Sequence, residues 1–158
     1  MTGFTVDFGL SLGVASHDLE RLYMAAMFHD IGKAAIPLTI LDKPGRLDVK
    51  ERALVETHPE AGYNALKHNP AVTDEIRDAV KHHHEFLDGS GYPDALVGVS
   101  IRDLTRILTI SDIFAALIEY RSYKPVMPRE QAYEIIKSMD GKLEKPLVGA
   151  FREVALVR

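Results

Sequence analysis

The stretch "RILTISDIFAALI", Arg106 to Ile118, restricts most what this chain can fold into, because apolar residues cover nearly the whole circumference of a helix drawn through it. Such a helix has to be wrapped by others, which predicts a bundle built around one central element. The rest of the chain agrees. Pro and Gly fall between segments of helical period, and no repeat, low-complexity segment or Gly/Ser-rich linker interrupts them. With 158 residues, 46% of them hydrophobic, the chain suits a single all-α domain over residues 1–158.

Local signals place the other helices. Ser16 can cap a helix with Asp18 and Glu20 in its first turn and an apolar stripe of Leu19, Leu22, Tyr23, Ala26 and Met27, bounded by Gly32 and Pro37. Asp48 with Glu51 has capping-box spacing and starts a helix through Leu54 and Val55 to His58, where Pro59 marks a break before a short helix to about His68. Thr73 can cap the next helix, which ends in "DGSGYP". Another helix is expected from Arg102 to Glu119, with one or two more after Pro128.

Composition excludes several functions. A formal charge of -4 and a pI near 6.0 give no global basic field, so polymeric nucleic acid is a poor partner, while a small anion at a local site is compatible. The absence of cysteine removes disulfides, thiolate zinc sites and cysteine nucleophiles, leaving His, Asp, Glu and water as metal ligands. No run approaches the roughly 20 apolar residues of a membrane span, and the N-terminus lacks signal-peptide character, so the cytoplasm is the expected location and no membrane partner is expected.

Several polar groups fall on apolar faces. At about 100° per residue from Ile76, the stripe Ile76, Ala79, Val80 and Leu87 lies near 0°, His83 at about 340° and His84 at about 80°, whereas His82 at about 240° and Glu85 at about 180° face away. His83 and His84 are therefore expected inside, and His82 on a solvated face. Asp30 lies three helical turns after Leu19 and is expected to continue that stripe inward. An isolated buried carboxylate needs a cation or a proton. Its neighbour His29 points about 100° away, so the pair could serve adjacent ions. Asp112 sits within the central apolar helix, where pairing with Arg106 or Arg121 is the bland alternative. His58 follows Leu54 and Val55 and could equally be a core histidine or a helix-dipole partner. Together, His29, Asp30, His58, His83, His84 and Asp112 lie at or beside buried faces of four helices, an arrangement suited to a metal site in the bundle core. Nitrogen and oxygen ligation suits two divalent ions, iron or manganese before zinc, and such a pair fits phosphoester hydrolysis because it activates water and stabilises both attacking and leaving oxygens.

"FHDIGKAAIP" (Phe28 to Pro37), "THPEAGYNAL" (Thr57 to Leu66), "HHEFLDGSGYPDAL" (His83 to Leu96), "RILTISDIFAAL" (Arg106 to Leu117) and "YRSYKPVMPREQAYEII" (Tyr120 to Ile136) closely resemble, in order and spacing, the HD-GYP family. This is the branch of the HD metal-dependent phosphohydrolases that degrades the bacterial messenger cyclic di-GMP to pGpG or GMP. The resemblance implies an HD-type helical domain and a metal-ligand role for the same six residues. It also implies that Lys33 lies beside the scissile phosphate, although spacing alone reads it as an exposed helix-end lysine. Arg121 and Lys124 resemble a substrate-binding basic pair, where a planar guanidinium suits bidentate phosphate contact; as plain residues they are solvated loop charges. In the turn, Gly89 and Gly91 permit positive φ and Pro93 stiffens the exit. The resemblance puts Tyr92 at the substrate cleft or at a surface meeting a partner such as a diguanylate cyclase; a homodimer stays open.

The sequence departs from the family pattern in places. The family draws another metal-binding histidine, often with a glutamate, from a helix well upstream of the HD doublet. Here that position would precede Met1 and the only upstream histidine, His17, reads as solvated, so this first helix is expected to be missing and one metal position short of a ligand. Ala95 replaces a usual Gly, with Val99 and Arg102 in the loop beyond. The expected activity is metal-dependent cyclic di-GMP phosphodiesterase, with Asp30 bridging the ions and Lys33 stabilising charge. The rival readings are a phosphohydrolase of another cyclic dinucleotide or nucleotide, and a degenerate module that binds nucleotide or protein without turnover.

Overall fold

The computed structural model describes residues 1–119 and 126–157, and over these the chain is helical: α1 (Thr2–Ser11), α2 (Ser16–Phe28), α3 (Leu38–Leu41), α4 (Val49–Val55), α5 (His58–Leu66), α6 (Asp74–His82), α7 (Asp103–Ile118), α8 (Arg129–Lys137) and α9 (Lys145–Leu156). Short 3-10 turns occupy Ile31–Ala35 and Gly98–Ser100. Among the described residues there is no strand, only an antiparallel bridge between Asp88 and Val97. Arg121 and Lys124 lie outside the described residues.

α7 is the central element that its apolar circumference demands. Leu104, Ile107, Leu108, Ile110 and Phe114 are buried along it, and α1, α2, α6, α8 and α9 all pack against it. Phe8 of α1 meets Phe151 of α9 edge-on at 4.8 Å, and Phe151 meets Phe114 at 5.2 Å, which closes the core between the two ends of the chain. Two hydroxyls inside α7 are absorbed by the backbone: Ser111 Oγ donates to the Ile107 carbonyl at 3.0 Å, and Thr109 Oγ1 lies 2.9 Å from the carbonyl oxygens of both Thr105 and His83. The second of these contacts ties α7 to the turn that carries the histidines.

Local start signals act as expected in two places. The capping box of α4 is formed in both directions, Glu51 N to Asp48 Oδ1 at 2.9 Å and Asp48 N to Glu51 Oε2 at 2.8 Å. Thr73 Oγ1 caps α6 by accepting from Ile76 N at 3.3 Å.

Elsewhere the structure corrects the sequence reading. Ala15, not Ser16, is the N-cap of α2, and no side chain caps it. Its buried stripe is Leu22, Ala25 and Ala26, leading to His29, while Tyr23 and Met27 are half exposed. The apolar residues span more than one face, and α2 packs against α1, α6 and α7. His58 does not end α4; it opens α5, with Pro59 in the first turn, where a missing N–H costs nothing. α1 had no sequence signal, since its buried residues Thr5, Phe8 and Gly9 form no amphipathic stripe.

Candidate metal centre

Three histidines are prepared in the same way. His29 Nδ1 donates to the Ala26 carbonyl at 2.8 Å, His58 Nδ1 to Val55 at 2.7 Å, and His83 Nδ1 to Val80 at 2.8 Å, each to the carbonyl three residues earlier. A carbonyl can only accept, so each Nδ1 carries a proton and Nε2 is the ring nitrogen turned toward the site, able to ligate once any proton on it is lost, the arrangement found behind metal-ligating imidazoles. His58 and His83 are buried, at 1% and 0% side-chain exposure, and their Nε2 atoms are only 3.3 Å apart. Two lone pairs so placed in a dry interior repel unless a cation or proton lies against them. His84 completes a set with His58 and His83 in which one nitrogen from each lies within 4.8 Å of the others, close enough for small side-chain shifts to bring all three onto one cation.

Asp30 sits in the middle. Its Oδ1 lies 3.3 Å from His58 Nε2 and 3.9 Å from His83 Nε2, while Oδ2 lies 3.2 Å from His29 Nε2 and 2.6 Å from Lys33 Nζ. Asp112 Oδ1 reaches His29 Nε2 from α7 at 3.5 Å. The six side chains singled out in the sequence thus converge, and Asp112 faces His29 rather than Arg106, which is engaged by Glu144 and by the carbonyls of Ile101 and Gly98.

Asp30 is not the inward end of the α2 stripe. That place belongs to His29, because α2 ends at Phe28 and Asp30 starts the 3-10 turn. At 35% side-chain exposure its carboxylate borders the cleft, so the need for a cation comes from the facing imidazoles more than from a buried acid.

Close backbone packing sets these positions. A Cβ on Gly32 would stand 1.9 Å from the His58 carbonyl oxygen and 2.5 Å from Gly62 N, so only glycine lets the turn after the HD doublet lie on the start of α5. Gly91 does the same for the GYP loop: its Cβ would fall 2.5 Å from the His84 oxygen and 2.4 Å from Glu85 Cα. Of the loop glycines expected at positive φ, Gly89 adopts it, at 79°, and Gly91 does not; its role is space. Tyr92–Pro93 is cis. Tyr92 N donates to the His84 carbonyl at 3.2 Å, and its ring stacks on His84 with centroids 4.9 Å apart and planes at 25°.

Two expectations from the wheel fail, one because α6 stops at His82 and the projection has no meaning beyond it, the other because the loop folds back over the last turn. Glu85, expected on the far side, is 2% exposed and holds the loop by accepting from Asp94 N at 2.7 Å and Leu96 N at 3.0 Å. His82 is not on an open face: it lies between Asp78 at 3.1 Å and Asp94 at 3.0 Å. Burial would lower its pKa, but these two hydrogen bonds outweigh that and raise it.

Charge divides the centre into unlike halves. Burial opposes the His29 imidazolium, yet hydrogen bonds to Asp112 and Asp30 push its pKa up to about 10. Burial would raise the Asp30 pKa, but hydrogen bonds from His29 and His58 hold it well below the usual carboxylate range. His83 is driven well below its ordinary value by burial and then by His84, and burial with His58 takes His84 down to about 3. A cleft of about 630 Å³ opens over the group, bordered by Lys33 and Tyr92 and, beyond the residues read from sequence, by Met1 and Phe4 of α1.

Comparisons with known proteins identify the family and the fold. A model of the HD domain family matches residues 1–145. The cyclic di-GMP phosphodiesterase response regulator RpfG of Xanthomonas campestris pv. campestris is 37% identical over 136 residues, 85% of this chain and 36% of that protein. The 3'3'-cGAMP-specific phosphodiesterase 2 of Vibrio cholerae is 38% identical over 135 residues, 85% of this chain and 26% of that protein. The chain therefore spans between about a quarter and just over a third of the length of these relatives. An HDG"Y"P protein from Bdellovibrio bacteriovorus superposes with a TM-score of 0.79 at 18% identity, over 97% of this chain and 49% of that one, which shows a shared fold. From the family match, the ordered motifs and the fold together, the chain belongs to the HD domain family, in its HD-GYP branch.

Proposed function

We propose that the chain is a metal-dependent phosphodiesterase that opens a cyclic dinucleotide, with cyclic di-GMP as substrate and pGpG or GMP as product. The observation that carries this is the convergence of the Nε2 atoms of His29, His58 and His83 on the carboxylate of Asp30. His58, His83 and His84 would hold one ion, His29 and Asp112 another, and Asp30, with one oxygen toward each group, would bridge them; iron or manganese suits this donor set. When bound, such a pair supplies Lewis-acid activation of water and neutralises charge on the phosphate.

The chain's own residues do the rest. Lys33 Nζ, 2.6 Å from Asp30 Oδ2, stands at the mouth of the cleft, where it can take a non-bridging phosphate oxygen as negative charge develops. Burial, then the nearby charge of Glu56, pushes the Tyr92 hydroxyl pKa up, so Tyr92 meets substrate as a neutral donor on a flat ring. The similar proteins named for cyclic di-GMP and for 3'3'-cGAMP set the substrates to assay. Purified protein loaded anaerobically with iron, or with manganese, is expected to hydrolyse cyclic di-GMP and to lose at least about 100-fold in kcat in Asp30→Ala. Saturable nucleotide binding with no turnover at any loading would overturn this reading.

A further inference from the structure

The cleft continues past Tyr92. Val55 and Tyr92 also line an adjoining hollow of about 510 Å³, whose other walls are Arg46, Leu47, Arg52 and Glu56. This hollow is built locally and opens to solvent on its Arg52 side, where the side chain is 74% exposed. Lys43 Nζ binds both oxygens of Glu51, at 2.7 and 2.6 Å, and Glu51 closes the α4 capping box, so the turn carrying Arg46 and Leu47 is pinned to the start of α4. Within and just after α4, Arg52 Nε donates to Glu56 Oε1 at 2.9 Å, which sets a cation and a carboxylate side by side on one wall. Among the described residues Arg46 has no ion-pair partner. Tyr92, held flat by its stacking on His84, is shared with the metal cleft.

A bare phosphate is a poor occupant, because Glu56 would repel it. A nucleobase suits these walls better. Guanine carries the O6 and N7 acceptors on one edge, which match an arginine fork, and N1–H and N2–H donors on another, which match a carboxylate; adenine would turn its N1 lone pair toward that carboxylate. Leu47, Val55 and the Tyr92 ring offer apolar and aromatic surface for the face of the base. We propose that the hollow between Arg46, Arg52, Glu56 and Tyr92 is a guanine-selective subsite for the half of a cyclic dinucleotide that lies away from the reacting phosphate. The inference rests on the phosphodiesterase reading for its substrate class and adds to it the side chains that choose the base.

The test uses wild type, Glu56→Gln and Arg46→Ala. Equilibrium dialysis with phosphorothioate analogues of cyclic di-GMP and cyclic di-AMP, which resist turnover, reads base preference; kinetics on cyclic di-GMP and on the base-free diester bis(p-nitrophenyl) phosphate reads the metal centre. Wild type is expected to favour the guanine analogue by at least about tenfold, and each variant to erase most of that preference. For cyclic di-GMP, kcat/KM is expected to fall through KM, by about tenfold more than for the base-free diester. A wild type indifferent to the base, variants that keep the preference, or equal losses on both diesters would overturn the subsite. If neither cyclic di-GMP nor the base-free diester is hydrolysed while the guanine preference and its loss in the variants stand, the phosphodiesterase reading fails and the subsite survives.

Discussion

Glu85 offers a sharp test of how the GYP loop is held over the histidines. Its carboxylate is 2% exposed and accepts from two backbone N–H groups of the loop, Asp94 N at 2.7 Å and Leu96 N at 3.0 Å. Glu85→Ala leaves both donors without their acceptor in a partly buried loop. A fully buried unsatisfied group costs about 1–3 kcal/mol, so the pair gives at most about 2–6 kcal/mol, less whatever water recovers at the exposed Asp94. Against a typical domain stability of about 5–15 kcal/mol, the alanine variant can approach unfolding. Glu85→Gln keeps one acceptor oxygen and sets an amide NH2 against the other N–H, so about half that loss is expected. Urea denaturation at constant slope measures the two losses, and amide hydrogen exchange at Asp94 and Leu96 is expected to speed up in step with them. A loss below about 1 kcal/mol in Glu85→Ala, or unchanged exchange at those two amides, would refute the reasoning.

Three further outcomes follow from the same geometry. Gly32→Ala drives a methyl to 1.9 Å from the His58 oxygen, a backbone clash that no side-chain rotation relieves; a loss of at least about 1–3 kcal/mol in denaturation is expected, with weaker metal retention because His58 moves. Ala95 holds φ at 52°, where the family's usual residue is glycine, so Ala95→Gly is expected to stabilise by about 0.5–1 kcal/mol, the left-handed penalty removed less the entropy glycine adds to the unfolded chain, as read from the denaturation midpoint. In chelator-treated protein, His29, raised to about 10, favours the folded state fully below pH 6.5, and that contribution is lost as pH rises through 10. His84, lowered to about 3, acts oppositely: the unfolded chain takes up a proton below 6.5 that the folded chain refuses, so stability falls as pH drops from 6.5 toward 3. Denaturation midpoints against pH check both limbs, and adding metal at pH 8 is expected to release a proton from His29 into weak buffer.

What could be read from the sequence was what depends on near neighbours. The Asp48 and Glu51 capping box and the Thr73 cap are contacts within one turn, and His83 follows the α6 stripe closely enough for its direction to be right. The apolar circumference of Arg106 to Ile118 also fixed a surrounded helix, because nothing but neighbours on every side can bury it. Errors arose where a helix stops. Projecting past His82 turned Glu85 outward, projecting past Phe28 gave Asp30 the place that His29 takes, and reading Pro59 as a break moved His58 into the wrong helix. α1 was missed because its burial is decided by α7 and α9 rather than by its own pattern, and with it went the contribution of Met1 and Phe4 to the cleft. The hollow holding Arg46, Arg52 and Glu56 joins a turn, a helix and a loop some forty residues apart in the chain, a contact that local periodicity does not encode.

The most direct measurement is the metal content of the purified chain after loading with iron or manganese and gel filtration, taken alongside Asp30→Ala and His83→Ala. About two ions per chain are expected in the wild type, falling by at least one in each variant. A wild type that retains no metal, or variants that retain as much as it does, would contradict the claim that these imidazoles and carboxylates converge in order to hold cations.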